Sequence, residues 1–402
     1  MTTDLPTAVP ETHPRTKGDT LPVSGARSSV ADDIVESDFG TVVDVASQWQ
    51  LMRWKFSRHK AAVICLWIVG FIYFVGAFAE IIAPQDPNRT SGRHQYSPPQ
   101  ALHLMAHDGS GLSLHVHDYK VETDQRTFRK SFVENPDKPV PVGFFVRGDK
   151  YRFWGLFEWD VHLIGPTNPR DPFFLLGTDR LGRDNFSRIV HGTRVSMSIG
   201  LVGVAISLVI GLILGGISGY YGGRVDQWIQ RTIEFLRSMP TIPLWMGLAA
   251  AIPLIWDPLA VYFVITVLLS LIGWTSLARE TRGKVMSLKS EDFVTAARLD
   301  GISEFRIITR QLLPAFMSHI IAVTTLAIPE MILAETALSF LGIGLRAPVV
   351  SWGVLLQEAQ NVNTVATAPW LILPGVAVVV AVLALNFLGD GLRDAADPYT
   401  HN

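Results

Sequence analysis

Six apolar runs, each close to the roughly 20 residues a helix needs to cross a bilayer, decide what this chain can fold into. They cover residues 61–83, 195–220, 232–255, 259–277, 320–342 and 370–388. Hydrophobic residues make up 48% of the 402 and charged residues 17%, against about 25% charged in an ordinary soluble domain. The expectation is an all-α polytopic protein of six helices in a lipid bilayer. Pro240, Pro243 and Pro253 interrupt the third run, which membrane helices tolerate. A net charge of −2 leaves no basic field for nucleic acid. The one cysteine, Cys65, excludes an intramolecular disulfide.

Residues 1–50 hold few aromatics and cannot bury a core, so a disordered tail is expected there. The "AFA" at 77–79 mimics a cleavage site. The segment before it is far longer than a signal's basic n-region, so an uncleaved first span is expected. Orientation follows Lys and Arg in short flanks. Arg53, Lys55, Arg58 and Lys60 precede the first span, and Arg279, Arg282, Lys284, Lys289, Arg298, Arg306 and Arg310 fill the loop at 278–314. Six crossings put both groups and both termini on one side, read as cytoplasmic. The domain scheme is then a tail (1–50), a first span with its basic flank (51–84), an external insertion (85–177) and a five-helix core (178–402) holding a loop at 289–314.

Within the insertion, "GLSLHVHDYKVE" and "VPVGFFVRGDKYRFWGLFEW" alternate like short strands, which predicts a small β-rich extracytoplasmic element. His94, His103, His107, His115 and His117 cluster there. His103 and His107 have helical ligand spacing, and His115 and His117 share a strand face. They are read as surface histidines, and no metal is expected.

Small residues recur every four positions in the second run, at Gly203, Ser207, Gly211, Gly215, Gly219 and Gly223. On a helix they form one stripe that lets another helix approach closely. "RVDQWIQRTIEFLRSMP" reads as an interfacial helix with Val225, Trp228, Ile229 and Thr232 on one face. "GDGLRDAADP" reads as a short polar end in which Asp390, Arg393 and Asp394 pair or cap locally. Glu330 and Glu335 are acids inside a span, beside Pro329. Such residues bond a neighbouring helix or line a path, and a proton-coupled carrier would use them. The nearest approach to a phosphate loop, "RGKV" at 282–285, lacks its first glycine and its Ser/Thr. H-E-x-x-H and G-x-S-x-G are also absent. The chain is therefore expected to bind no ATP or other cofactor and to catalyse nothing itself.

Between the fourth and fifth runs stands "EDFVTAARLDGISEFRIITRQLLP", residues 291–314. Its pattern predicts a helix over 291–299, a glycine stop at Gly301 and a Ser303 N-cap. A second helix follows, with Phe305, Ile308 and Leu312 on its apolar stripe, ended by Pro314. Pattern alone describes an interfacial helix pair anchored by snorkelling side chains. The residues resemble the EAA loop of permease subunits of bacterial ABC importers. Ala296, Ala297, Gly301, Leu313 and Pro314 match that pattern, while Thr295 replaces its glutamate and Gln311 its isoleucine. "LGTDRLGRDNFSRIVHGTRVSMSIG" (176–200), "GYYGGRVD" (219–226), "ILAETALSFLGIG" (332–344), "SWG" (351–353) and "NFLGDGLRDAADP" (386–398) look like the second permease of the dipeptide/oligopeptide importer family. The resemblance implies a homologous permease partner, two ABC ATPase subunits and a periplasmic substrate-binding protein. It implies that the loop, Thr295 and Pro314 included, docks on the ATPase, with Ala296, Ala297 and Gly301 allowing the close approach and Arg298, Asp300 and Arg306 at its polar rim. It makes Glu335 a structural hydrogen-bonding residue.

Overall fold

A computed structural model describes residues 48–105, 112–123, 125–126, 130–253 and 255–396. The expected tail lies almost wholly outside them, as does His107. Residues from Met52 onward form one compact unit.

Helix α1 (Gln48–Arg58) ends on Lys55 and Arg58. Helix α2 (Lys60–Ala77) starts where His59 Nδ1 accepts from Ala62 N at 3.1 Å. Ile64, Trp67, Phe71 and Phe74, at helical spacing, are exposed on α2, while Cys65 and Val69 are buried opposite. An apolar stripe of this kind turned away from the protein suits lipid. The first run does not continue as one helix to residue 83. It breaks at Phe78 before a single turn, α3 (Ala79–Ile82). Arg194 donates to both Glu80 oxygens and, through Nε, to Gly76 O at 2.8 Å. Burial pulls the Glu80 carboxyl up, but Arg194's hydrogen bond and charge hold it below its ordinary value.

Four antiparallel strands follow in the order β1-β2-β3-β4: β1 (His103–Met105), β2 (Leu112–Thr123), β3 (Lys130–Phe153) and β4 (Phe157–Pro166). Val116, Val140 and Val142 pack with Phe173 beneath them. His103 opens a strand, so the helical His103–His107 spacing is not realised on that side.

The second run is longer than the sequence suggested. Helix α4 (Asn185–Tyr221) has 37 residues, about 55 Å at 1.5 Å per residue. The third run is not one helix. It divides into α5 (Gly223–Ser238), charged and amphipathic, and α6 (Thr241–Ala250), apolar but only 10 residues long. The cause is the extended backbone at Met239 and Pro240, the geometry favoured before and at proline. Among the described residues five helices are long and apolar enough to cross a membrane: α2, α4, α7 (Pro258–Leu288), α11 (Met317–Phe340) and the segment Pro369–Ala396. On α5, Ile233 is buried against Trp274 and Ala278 with Ile229 of the expected face packed beside it, while Val225 and Trp228 of that face are exposed.

Small residues make the α4–α7 contact. A Cβ added at Gly211 would sit 2.7 Å from Leu277 Cβ, and one at Gly215 only 2.4 Å from the Ala278 carbonyl. Ser207 Oγ donates to Ser270 O at 3.1 Å. Gly219 faces Arg282 and Val285, and Gly203 faces Met331 of α11. The stripe is thus occupied within this chain. Gly223 is not part of it: α4 has ended, and Gly222 and Gly223 turn the chain at φ 65° and 58° with open space around them.

Candidate functional site

The loop between α7 and α11 is built as two helical pieces around a glycine turn. Helix α8 (Asp292–Leu299) ends in a paired closure: Gly301 N donates to Arg298 O and Ile302 N to Ala297 O. This two-bond cap needs a left-handed residue, and Gly301 has φ 73°. Helix α9 (Glu304–Ile307) starts at Ser303, whose carbonyl accepts from Arg306 N and Ile307 N; its side chain makes no cap bond. A π-helical turn, Ile308–Leu312, leads to α10 (Leu313–Ala315). Pro314 therefore begins a short turn instead of ending the helix. The break falls at Phe316, with φ −124°, before α11.

One face of this loop is part of the core. Val294, Ala297, Ile307, Ile308 and Leu312 pack with Tyr220 of α4 and Val285 of α7. Ala297 is 3% exposed, so its small side chain serves this inward packing and not the outer surface expected for it. The buried residues of this stretch are Ile307, Ile308 and Leu312, whereas Phe305 is turned out to solvent, which corrects its place on the stripe. Phe305 is 77% and Leu299 84% exposed. Thr295, Ala296, Arg298, Asp300, Gly301, Arg306 and Pro314 are exposed too. Arg298 is engaged nonetheless: its Nε donates to Tyr220 Oη at 3.2 Å and its guanidinium stands 5.1 Å from the ring centroid. Lys289 Nζ stands 5.6 Å from the same ring. Next to it, Arg282 grips Asp226 through two bonds of 2.6 Å, and Ser218 Oγ donates to Asp226 at 2.5 Å. The Arg282 bonds hold the Asp226 carboxyl below its ordinary value.

Further along the same helices is a cavity of about 270 Å³ lined by Ser207, Trp245, Gly273, Glu280, His319 and Glu330, among others. Glu330 is exposed to it. Arg393 lines it as well, because α12 (Leu373–Ala396) continues through the polar end that the sequence suggested was a separate segment. Glu335 has no access to the cavity. It is fully buried and accepts from Ser339 Oγ and Ser351 Oγ at 2.8 Å and from Ser196 Oγ at 3.2 Å. Ser196 Oγ in turn accepts from Trp352 N at 3.1 Å. The "AETALSF" and "SWG" stretches are thereby joined to α4 through one carboxylate.

At the start of α4 a buried ion cluster accounts for "GTDRLGRDNFSR". Arg183 Nε donates to Asp179 at 2.6 Å, Arg188 donates to the same oxygen, and Arg183 reaches Glu358 at 3.2 Å. Asp179 also accepts from the backbone of Leu181 and Arg183. Gly177 and Gly182 take positive φ to make these turns. Burial raises the Glu358 carboxyl above its ordinary value. Sequence reasoning flagged the stretch but assigned no roles, since Glu358 is more than 170 residues away.

Comparison with known proteins agrees with this arrangement. Residues 208–401 match the model of the binding-protein-dependent transport system inner membrane component, and residues 47–99 that of the N-terminal TM domain of oligopeptide transport permease C. The dipeptide transport system permease protein DppC of Bacillus subtilis is 40% identical over 224 residues, covering 55% of this chain and 68% of that one. The glutathione transport system permease protein GsiD of Pectobacterium atrosepticum is 34% identical over 294 residues, covering 70% and 94%. A solved chain of the inward-facing MetNI methionine ABC transporter aligns with a TM-score of 0.40 at 18% identity, over 52% of this chain and 96% of that one.

Fold and matches together define a multi-pass inner-membrane transport permease, not an enzyme. The chain belongs to the binding-protein-dependent transport system inner membrane component family, in its dipeptide and oligopeptide importer branch. That membership gives no support to a proton-coupled carrier, and the burial of Glu335 among three serines removes one of its two expected acids from any solvent path.

Proposed function

We propose that this chain forms half of an importer's translocation path for peptides or similar small solutes, and that its loop at 289–314 couples the path to ATPase subunits. The observation that carries this is the two-faced loop. Its inner face is fused to α4 and α7, and its outer face offers Leu299 and Phe305 almost bare. A docking partner that covers those two side chains can push on the helices that line the cavity. Leu299 and Phe305 are the central apolar contacts in this reading, with Thr295, Ala296 and Gly301 beside them and Asp300 and Arg306 at the rim. Ala297 packs the loop's inner face, and Pro314 stands exposed in the short turn α10. A homologous permease supplies the other half of the path, two ATPases supply ATP hydrolysis, and a periplasmic binding protein delivers solute. The peptide class is taken from the relatives' names. ATP is bound by the partner subunits in this reading, and transport itself draws on no cofactor of this chain.

The basic flank and the loop are placed on the cytoplasmic side with both termini, and the strand segment on the periplasmic side. This requires a sixth crossing, which is assigned to the third apolar run around α6. Glu330 faces the path; Glu335 and the stripe from Gly203 to Gly219 hold its wall together.

The test is co-expression with the neighbouring transporter genes, purification in mild detergent and an ATPase assay. Leu299→Asp with Phe305→Asp should lose the ATPase subunits or uncouple their hydrolysis from transport, while the variant's own unfolding stays within about 0.5 kcal/mol of the parent. Full coupling in that double variant would refute the docking role.

A further inference from the structure

Residues 100–207 lie outside both family matches, and the strand segment within them carries a side-chain group that the transport reading does not use. From the structure we infer that His103, His117 and Glu134 form a site for a borderline divalent transition-metal ion, Zn²⁺ foremost, that staples β1 to β2 and β3.

Register brings the three together. His103 pairs with His115 across β1–β2, and Glu134 pairs with Tyr119 across β2–β3. On β2, His115, His117 and Tyr119 alternate onto one face, so His103 and Glu134 flank His117 from the two neighbouring strands. Glu134 Oε1 lies 2.9 Å from His117 Nδ1 and 3.2 Å from His103 Nε2. One donor atom from each residue lies within 4.8 Å of the other two. A tetrahedral zinc site with bonds of about 2.0–2.2 Å separates its ligand atoms by roughly 3.3–3.5 Å. The two nitrogen–oxygen separations already sit close to that edge length. Two imidazoles and a carboxylate are a borderline donor set, which excludes calcium and magnesium as natural occupants. Water can take a fourth position, because the Glu134 side chain is 46% exposed.

The site is supported from behind. Gln100 is buried; its Nε2 donates to His117 O at 2.9 Å and its Oε1 accepts from Phe174 N at 2.6 Å. His115 Nδ1 bonds the Ser113 carbonyl at 2.9 Å, and its ring stacks 5.5 Å from that of His103. By contrast β1 has three residues and stands at the sheet edge, with Leu102 and Leu104 exposed. So short an edge strand is weakly held and open to wrong pairing. A metal bond through His103 would fix it without a larger core.

The test uses the full chain, free of any affinity tag, purified in detergent and stripped with a chelator. Zinc is titrated by calorimetry and counted by elemental analysis, and proteolysis of the β1–β2 connection is timed with and without zinc. The expected result is one zinc per chain, at least about tenfold weaker binding in both Glu134→Gln and His103→Ala, and zinc-dependent protection in the wild type alone. Glu122→Gln, an exposed strand residue outside the group, should bind as the wild type does. Because Glu134 is half exposed, circular dichroism of Glu134→Gln separates loss of metal from loss of fold. The inference is overturned if the wild type takes up no zinc, or if either ligand substitution leaves the affinity within about twofold, which would mark an adventitious ion only.

Discussion

The two ends of α4 differ in how deeply their charged contacts are buried. At Asn185 the helix starts in a buried net of charge, Asp179 with Arg183, Arg188 and Glu358. At Tyr221 it ends in apolar contacts with a loop whose far side is bare, joined by more exposed polar contacts of Ser218 with the Asp226–Arg282 pair and of Arg298 with Tyr220. Buried ion pairs are geometrically exacting and costly to break. Apolar contacts between helices slide at little cost, and in a membrane they gain little from exclusion of water. One end of the helix is therefore fixed, and the other is suited to being moved.

The largest effect that would sharpen the contrast is at the fixed end. Arg188→Met leaves two buried carboxylates short of a partner and should cost about 3–5 kcal/mol, read as early unfolding in detergent. A loss below about 1 kcal/mol would erase the distinction between the ends. Glu335→Ala comes next: three serine hydroxyls lose their acceptor in a closed site, for about 2–3 kcal/mol. At the loop, Gly301→Val should cost about 1–2 kcal/mol. The space around Gly301 is open, so that cost arises from backbone strain alone, and it should fall more heavily on coupling than on unfolding. The last effect is read in a slope. Burial lifts the Asp184 carboxyl to about 6 from an ordinary 3.8. The folded chain then holds the proton more tightly than the unfolded one. Stability falls as pH rises between those values, and the penalty is complete above pH 6. Asp184→Asn keeps an N-cap acceptor for Ser187 N and should flatten thermal stability between pH 5 and 7.5. An unchanged slope would mean that Asp184 is charged throughout.

Much of this was legible in the residues. Five runs become long helices because their apolar length alone satisfies the backbone in lipid. The glycine at 301 becomes a left-handed cap as its position predicts. The third run misled because hydropathy counts Pro240 and Pro243 as neutral, whereas the backbone at 239–240 must extend around them. Phe305 misled because a stripe drawn from three residues did not include Ile307, which is wholly buried. Tyr220, Lys289 and Arg282 were not singled out as partners, since their contacts join helices distant in sequence. The meeting of His117 with Glu134 was hidden for another reason. The register of β2 on β3 jumps between His117 and Asp118, and no sequence pattern announces such a jump.

The unusual length of α4 turns this asymmetry into leverage. A rod of about 55 Å pivoting at its ionic end turns by only about 3° when its free end is pushed some 3 Å. Ser207 is 22 residues from the pivot and would travel roughly 2 Å by the same 1.5 Å per residue. That is enough to change what fits in a cavity of about 270 Å³, while the charges at the pivot barely shift.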